Sequence, residues 1–405
     1  MNEVMEMLTV DDALERVLEL CMPLPEETVS VEEAVGRALV QTIKAVRTLP
    51  PWDNAAMDGY AVRTADHSKG PVPLTVIERI FAGQRPSLPL DEGTCARIMT
   101  GGPIPVGADA VVPQERVQVL DDEQIEVLDL PKPNDHIRRQ GEDVHEGQTL
   151  LEAGAPIGMA EAGALWGQGL TRVVVRRRPR VAIAATGDEL CNSWEEPRDR
   201  IVDTNSPVIA LGVKRAGGIP STLGVTPDLL EAVVASFQKG LDADVLVTVA
   251  GASVGEHDYV RDAFAKLGVA MDFWNVAMKP GKPLAVGRRD RTLVFALPGN
   301  PVSAMVTFEL FVRPALRALQ GLPPLAVPLP GRLAEPITKA AGRRHFVRAR
   351  VAVRDGALWA TPLSNQSSGA LSSATGATHL INLAPDLTRV EVGSEISLLP
   401  VDWGG

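Results

Sequence analysis

Aromatic residues and cysteines are scarce in this sequence, and it contains no long uncharged apolar run. Aromatic side chains make up 4% of its 405 residues, and Cys21, Cys95 and Cys191 lie far apart. Such spacing argues against a disulfide framework or a structural zinc site and is typical of a reducing compartment. No apolar stretch approaches the roughly 20 residues that span a bilayer, and the first residues lack the basic start of a signal peptide. We therefore expect a cytoplasmic protein with no membrane partner.

An excess of positive charge is also missing. The 40 basic residues are outnumbered by 51 acidic ones, for a net charge of −11, which disfavours nucleic acid as a partner. A small anionic ligand remains compatible, because local geometry governs a pocket. Composition alone favours reading the basic stretch 332–354 as a solvated strand face. Its seven basic residues are Arg332, Lys339, Arg343, Arg344, Arg348, Arg350 and Arg354.

Familiar nucleotide and metal motifs are absent. The Gly281-Lys282 pair has Val276 where a P-loop would have its first glycine, and no G-x-G-x-x-G follows a strand. The six histidines are scattered without metal-ligand spacing. A P-loop NTPase, a dinucleotide dehydrogenase and a zinc enzyme are therefore all disfavoured.

The first half of the chain combines helical patterns with short strands. Apolar spacing predicts a helix over 9–21 that Thr9 can cap, and the S-V-E-E pattern at Ser30 is a capping box. Residues 46–146 consist of short β-branched runs separated by glycine, proline and aspartate, which is typical of small sheets. Helical character returns at 156–168.

Residues 178–320 alternate apolar strands with helices, a pattern that indicates a parallel sheet covered on both faces. The predicted strands are 180–186, 244–250 and 292–298. The predicted helices are 205–216, 228–240, 258–267 and 301–319. A proline-rich linker at 321–331 then precedes a strand-rich carboxy-terminal module.

An unusual loop follows each of these three strands. The loops are Thr186-Gly187-Asp188-Glu189, residues 251–258, and residues 298–303. Open α/β sheets bind ligands at the carboxyl ends of their strands. Any one loop is equally explained as an ordinary strand-to-helix turn, but three at one sheet edge indicate a site.

The chemistry of that edge suits an anion. The helix that starts at Asn300-Pro301, with Ser303 in its first turn, offers unpaired N–H donors. Lys279 and Lys282 stand just upstream, in a frame of two prolines and a glycine. Carboxylates near phosphates commonly hold Mg²⁺ or orient a nucleophile, although for Asp228 and Asp188 a helix-capping role is the alternative. The carboxylates in question are Asp188, Glu189, Asp203, Asp228 and Asp258.

Three motifs outside this module have two explanations. They are PPWDNAAMDGYAV (50–62), RIMTGGPIPVGADAVV (97–112) and IRRQGEDV (137–144). Each contains aspartate, threonine or glycine in a tight turn, where such side chains bond their own backbone. Ordinary turn chemistry and a functional role remain equally open for each.

Nine motifs, taken in order along nearly the whole chain, resemble those of the molybdopterin molybdenumtransferase family, which includes the E domain of gephyrin. Besides the three above, the sequence contains ATGDEL, IVDTNS, GASVGEHDY, MKPGKPLAVG, LPGNPVSA and GRRHFVR. The resemblance implies a multidomain α/β protein of four domains. They are a discontinuous amino-terminal helical domain (1–45 and 147–177), an inserted β domain (46–146), a doubly wound α/β pterin-nucleotide-binding domain (178–322) and a carboxy-terminal β-barrel (330–405).

The resemblance also implies roles for particular residues in an elongated homodimer. Asp58, Thr100 and Asp143 would reach into the cleft of the partner subunit. The pterin-nucleotide site would be lined by Thr186, Glu189, Ser253, Asp258, Pro298 and Pro301. The molybdate pocket would comprise Lys279, Lys282, Ser303, Arg348 and Ser368. We also assign Asp188, Asp203, Asp228 and Asn300 to substrate binding.

The reaction implied by the resemblance is the insertion of molybdenum from molybdate into adenylylated molybdopterin, with Mg²⁺-dependent cleavage of the adenylate and release of AMP. Glu189 and Asp258 would hold the Mg²⁺ or orient the nucleophile, and Lys279 and Lys282 would hold the oxyanion. Handover contacts with the adenylyltransferase and with molybdoenzyme apoproteins are implied as well. The sequence departs from the family pattern at Asn275, where many members have lysine, at Ala250 and Ala55, and in the region around His379.

Two other functions are compatible with parts of the chain. A molybdopterin adenylyltransferase resembles the α/β domain alone, so the inserted-domain motifs argue against it. A non-catalytic scaffold of the same fold would not need the intact set of aspartates and lysines.

Overall fold

The computed structural model describes residues 7–68, 70–193, 199–249 and 259–403. The chain divides into two compact units. The first comprises Met1–Val40, Gly154–Met159 and Arg172–Gly405, and the second comprises Gln41–Ala153 and Ala160–Thr171.

The helices and strands are numbered in chain order. The segment up to residue 40 contains α1 (Val10–Glu19), β1 (Glu26–Ser30) and α2 (Val31–Ala34). The next part contains β2 (Ile43–Lys44), β3 (Asn54–Ala55), β4 (Gly59–Val62), β5 (Pro73–Ile80), β6 (Thr94–Ile98), β7 (Ala110–Pro113), β8 (Val117–Val119), β9 (Gln124–Val127), β10 (Ile137–Arg138), β11 (Thr149–Leu151) and α3 (Met159–Gly167).

The following part contains β12 (Arg172–Arg176), β13 (Arg180–Thr186), β14 (Leu190–Cys191), β15 (Ile201–Val202), α4 (Asn205–Arg215), β16 (Ile219–Thr226), α5 (Leu230–Gly240), β17 (Val245–Val249), α6 (Tyr259–Lys266), β18 (Ala270–Trp274), β19 (Met278–Lys279), β20 (Ala285–Arg289), β21 (Thr292–Leu297), α7 (Pro301–Thr307) and α8 (Arg313–Leu319). The last part contains β22 (Leu329–Leu333), β23 (Ile337–Thr338), β24 (Arg344–Arg354), β25 (Ala357–Pro362), β26 (His379–Leu383), β27 (Arg389–Val390) and β28 (Glu395–Pro400).

Both predicted helix caps near the amino terminus are confirmed. The Thr9 side chain accepts a hydrogen bond from the backbone N–H of Asp12 at the start of α1. The Ser30 side chain accepts from the backbone N–H of Glu33, whose carboxylate accepts in turn from the Ser30 N–H. Each cap satisfies donors that have no partner inside the helix.

The second unit is built on a six-stranded sheet with the order β7-β4-β6-β5-β9-β8. Its strands are short and alternate between two apolar clusters, one of which contains Leu74 and Val112 and the other Ile80 and Ile98. This is the β-rich composition predicted for residues 46–146. Helix α3 lies where the sequence predicts helical character at 156–168.

The α/β part of the first unit has a six-stranded sheet with the order β16-β13-β17-β21-β20-β18. The first four strands are parallel, β20 runs antiparallel to β21, and β18 in turn runs antiparallel to β20. The central strands are buried, and separate apolar clusters cover the two faces. This confirms the predicted doubly wound α/β domain, since a parallel sheet needs cover on both faces.

A half-buried carboxylate connects the central strands of this sheet. Asp244, just before β17, accepts two hydrogen bonds from the Arg177 guanidinium at 2.7 and 2.8 Å and one from the Arg180 N–H at 2.7 Å. Burial raises the pKa of Asp244, but these hydrogen bonds and the charges of both arginines outweigh it and hold the pKa below its usual value. The ionised form therefore stabilises the fold.

We expect Asp244→Asn to lower the free energy of unfolding at neutral pH by about 2 kcal/mol, because charge-assisted hydrogen bonds are lost. A lowered folded-state pKa stabilises the protein above the unfolded-state pKa of about 4, and that stability is lost as pH falls through the folded-state value. Urea unfolding between about pH 3 and pH 7 should therefore show that the free energy of unfolding falls less steeply with falling pH in Asp244→Asn than in the parent chain. The exposed neighbour Asp242 supplies the control. An equal decrease in the free energy of unfolding of Asp242→Asn would contradict the prediction.

The carboxy-terminal strands close into a barrel. The order β24-β25-β22-β28-β26 returns to β24 through an additional β24–β26 pairing, and β19 adds to β24 from outside the ring. Apolar residues such as Leu333, Val347, Ile381 and Leu398 fill the interior. This confirms the predicted barrel, although β22 begins at Leu329, so the last residues of the predicted linker belong to a strand.

In the described part of the chain, no helix combines the length and apolarity that crossing a membrane requires.

Candidate functional site

The carboxyl ends of three neighbouring strands lie level at one edge of the α/β sheet. Ala185 of β13 is in register with Val249 of β17, which is in register with Leu297 of β21. Parallel strands are about 4.8 Å apart, so the ends of β13 and β21 are roughly 10 Å apart. Thr186 and Pro298 follow directly, as predicted. The predicted site residues Ser253 and Asp258 lie outside the described residues.

Three carboxylates collect after β13 and β16. The Asp228 N–H donates to the Asp188 carboxylate at 3.1 Å, and the Glu189 carboxylate lies beside Gly187, where a Cβ would come within 2.5 Å of it. Burial raises the pKa of Asp228, and the charges of Asp188 and Glu189 raise it further. We call Asp188, Glu189 and Asp228 the carboxylate edge.

The capping role considered for Asp228 is wrong. Helix α5 begins at Leu230, its N-cap residue is Leu229, and no side chain caps it. Asp203 behaves differently, because its carboxylate accepts from the backbone N–H groups of Asn205 and Ser206 at the start of α4.

A divalent cation fits the carboxylate edge only with help from other ligands. In the described ranges, no three aspartate, glutamate, histidine or cysteine side chains converge as a metal site. Burial and, after it, the negative charges of Asp188 and Glu189 nevertheless raise the pKa of Asp228, so a cation at this edge would stabilise its ionised form. Mg²⁺ is usually held by one or two carboxylates together with substrate phosphates, so this donor set is compatible with it.

A cleft of 440 Å³ opens where β21 ends and the barrel begins. Its basic lining residues are Lys279, Lys282 and Arg343, and no carboxylate lines it in the part of the chain that the structure describes. We call it the cationic cleft. The other polar lining residues are Asn300, Ser303, His345, Gln366, Ser367 and Ser368.

The two lysines stand on a tightly fixed loop. The Val276 N–H donates to the Lys282 carbonyl at 2.9 Å, and β19 pairs with β24 so that Lys279 is in register with His345. Gly281 between them has φ +99°, and a Cβ there would come within 2.6 Å of Thr307 in α7. A glycine is therefore required at this position for the loop to lie against α7.

The opposite wall combines the start of α7 with the segment 365–368. Pro301 occupies the first turn of α7, and Ser303 is 4% exposed. The Val302 N–H donates to the Ser368 carbonyl at 3.1 Å, and the Asn205 side chain donates to the Gly299 carbonyl at 2.8 Å. These bonds fix the wall on both sides of Asn300.

Arg348 is fully buried beneath this wall, so the interpretation of its strand as a solvated face is wrong at this position. Its guanidinium donates to the carbonyls of Asn365 and Ser367 and to the Ser373 hydroxyl at 2.9–3.2 Å. It does not line the cleft but holds the segment that does. Burial lowers the pKa of Arg348.

Sequence reasoning did not single out Arg343, His345, Gln366 and Ser367 as site residues, although all four line the cleft. Two of them lie in the motif GRRHFVR, so the alternation of side chains along that strand was the available signal. Gln366 exchanges hydrogen bonds with the backbone of Arg348, a contact between distant residues that no local pattern encodes.

The three motifs of the second unit meet at one end of its sheet. Thr100 donates from its N–H and its hydroxyl to one carboxylate oxygen of Asp58, both at 2.7 Å, and these bonds lower the pKa of Asp58. The Gly101 N–H donates to the Ala55 carbonyl, and Ala55 is in register with Ile137. Asp143 is exposed in the loop that follows.

Three family models match the chain in sequence order. They are the MoeA N-terminal region (domain I and II) over residues 8–169, a probable molybdopterin binding domain over residues 182–318, and the MoeA C-terminal region (domain IV) over residues 330–401. Together they cover the second unit, the α/β domain and the barrel.

Individual relatives are similar over almost the whole chain. The molybdopterin molybdenumtransferase of Haemophilus influenzae is 34% identical over 404 residues, which cover 97% of this chain and 98% of the relative. Molybdopterin molybdenumtransferase 2 of Mycobacterium tuberculosis is 36% identical and covers 94% and 96%. The crystal structure of the molybdopterin biosynthesis moeA protein from Pyrococcus horikoshii is similar with a TM-score of 0.84 at 28% identity, covering 98% of this chain and 100% of that one.

Proposed function

This chain belongs to the molybdopterin molybdenumtransferase family, and on that premise we propose that it inserts molybdenum from molybdate into adenylylated molybdopterin and releases AMP. The cationic cleft carries this proposal. Lys279, Lys282 and Arg343 line it, and no carboxylate among the described residues does, so it favours an oxyanion. It also adjoins the strand ends where α/β domains bind nucleotides.

The cationic cleft and the residues at the strand ends would bind different substrates. Lysines about 4 Å from an oxyanion contribute roughly 4 kcal/mol each at an intermediate effective dielectric, so Lys279 and Lys282 hold molybdate. Thr186, Pro298 and Pro301 would line the pterin-nucleotide site together with Ser253 and Asp258, which lie outside the described residues. Because the adenylate anhydride is already activated, the protein mainly positions anions and neutralises developing charge.

Mg²⁺ belongs to this proposal as a bound cation. Glu189 and Asp258 would hold it together with substrate phosphates, and Asp188 and Asp228 add negative charge beside it. When bound, it supplies neutralisation of phosphate charge during adenylate cleavage. Glu189 itself would orient the attacking nucleophile.

The direct test supplies adenylylated molybdopterin, molybdate and Mg²⁺ to the purified chain and measures AMP release and pterin-bound molybdenum. Both should appear together. Pterin adenylylation from ATP without molybdenum incorporation would favour the adenylyltransferase instead. No turnover by the folded chain would favour a scaffold.

We also propose that the chain works as a homodimer in a reducing cytoplasm, with handover contacts to the adenylyltransferase and to molybdoenzyme apoproteins. The three cysteines are unpaired, which fits such a compartment. In the dimer, Asp58, Thr100 and Asp143 of one subunit would complete the nucleotide site of the other. The exposure of all three side chains is compatible with this role.

The shared site predicts complementation between inactive variants. Asp58→Asn should lower AMP release about tenfold, and Lys279→Ala should lower it further. After subunit exchange, half of the dimers pair one variant with the other, and each of these has one intact site of two. Activity of an equal mixture should therefore recover to about a quarter of the parent value.

Mass spectrometry of the exchanged mixture provides the control, because it shows how many mixed dimers form. Mixed dimers without recovered activity would mean that both residues act within one subunit.

A further inference from the structure

His345 is a half-buried histidine in the wall of the cationic cleft whose role is not explained by the function proposed above. It lines the cleft and is in register with Lys279 on β19 and with Leu383 on β26. Its Nδ1 atom is buried and has no hydrogen-bond partner among the residues that the structure describes. A buried imidazole nitrogen without a partner is costly unless a ligand changes its surroundings.

The surroundings of His345 are strongly cationic. Lys279 acts on it from β19, and Arg348 from its own strand, β24. Arg343 lies in the turn before β24, and Lys339 lies in the segment before that turn. Burial and these four positive charges together lower the pKa of His345 to about 4. The imidazole is therefore neutral near pH 7 while the cleft holds no anion.

A tetrahedral dianion in the cleft would raise the pKa of His345. Its two negative charges offset part of the field of the four cations, so the protonated imidazole becomes less unfavourable. A group with a higher pKa in the bound state takes up a proton on binding, and the ligand then binds more tightly as pH falls.

We propose that His345 takes up one proton from solvent when a tetrahedral oxyanion enters the cationic cleft, so that oxyanion binding and protonation of this histidine are coupled. The inference rests on the proposed function, because it takes molybdate as the ion that the cleft binds. Coupling would favour dianions over monoanions, since a single charge offsets the cationic field only half as well. The proton would also offset one of the two negative charges that the dianion brings into the cleft.

Titration calorimetry of the full chain with sodium molybdate tests this coupling. Comparing two buffers with different ionisation enthalpies, between about pH 5.5 and pH 7.5, gives the number of protons taken up per ion bound. For the parent chain we expect uptake that approaches one proton at the acid end. The association constant should rise by up to about tenfold per unit of falling pH.

Two substitutions at the same position separate titration from packing. His345→Gln and His345→Asn keep a polar amide but cannot titrate, so both should bind molybdate with little proton uptake and an association constant that is nearly independent of pH. His379 supplies the matched control. It is also half-buried with a pKa lowered by burial, but it does not line the cleft. His379→Gln should therefore keep the full uptake.

The outcomes separate the two proposals. If the parent chain binds molybdate without proton uptake, or if both His345 variants take up as much as the parent, the His345 inference is overturned while the proposed function stands. If the folded parent chain binds no molybdate at all, the proposed function fails and the inference fails with it.

Discussion

Replacing Lys279 by alanine should weaken molybdate binding and slow molybdenum insertion by roughly a hundredfold, because a cation about 4 Å from a dianion contributes several kcal/mol. Lys279 lines the cationic cleft, is exposed, and forms no ion pair within the described ranges. Its removal should therefore leave the free energy of unfolding nearly unchanged. Calorimetry with molybdate and the AMP-release assay measure the two effects separately.

Lys239 provides the matched control for this substitution. It is an exposed lysine in the last turn of α5 and does not line the cleft. Lys239→Ala should retain full affinity and turnover. Comparable losses in the two variants would mean that the net charge of the chain matters and the cleft does not. Lys279→Arg should retain part of the affinity, since it keeps the charge but changes the geometry of the donors.

The sequence predicts those parts of the site that lie within short continuous segments of the chain. The buried strands β13, β17 and β21 appear as apolar runs, and the loops after them contain Thr186, Glu189 and Pro298. Because carboxyl ends of parallel strands meet at one edge, their proximity follows from the pattern alone. Lys279 and Lys282 are marked by the rigid frame of prolines and glycine around them.

The parts that the sequence does not predict depend on contacts between distant segments. The composition of the stretch 332–354 does not predict the burial of Arg348, because the residues that cover it lie in the distant segment 365–373. The neighbouring Val347 and Ala349 belong to the barrel interior, so Arg348 lies on the other face of the strand. His345 was missed because its cationic neighbour Lys279 comes from β19, which pairs with β24 far along the chain. The capping alternative for Asp228 fails because element boundaries shift by a residue or two, and here α5 begins at Leu230.

Asn275, where the resemblance implies lysine in many members, has a backbone conformation that suits asparagine. Its φ is +70°, a left-handed conformation that asparagine adopts more readily than most residues. Its N–H donates to the Leu284 carbonyl at 2.8 Å, which closes the loop that carries both cleft lysines. Asparagine therefore suits the backbone of this loop, while Arg343 adds a cation to the cleft from the barrel side.

Replacing Arg348 by methionine should lower the free energy of unfolding by about 3 kcal/mol, because charge-assisted hydrogen bonds contribute roughly 1.5–3 kcal/mol each and their carbonyl partners would be left unpaired. Removing a buried charge for which the described residues supply no carboxylate partner offsets part of that loss. The carbonyls affected belong to Asn365 and Ser367. Urea unfolding of the variant and the parent chain measures the difference.

The same substitution should also reduce molybdate affinity by about tenfold or more, although Arg348 does not line the cleft. Without the guanidinium, the segment that carries Gln366 and Ser368 loses its anchor, and hydrogen exchange of amides 363–375 should accelerate. Arg354→Met, at the exposed end of the same strand, is the control and should change none of these quantities. Slow exchange in that segment, together with lost affinity, would instead make Arg348 a direct ligand of the oxyanion, because its effect would then not pass through the loop.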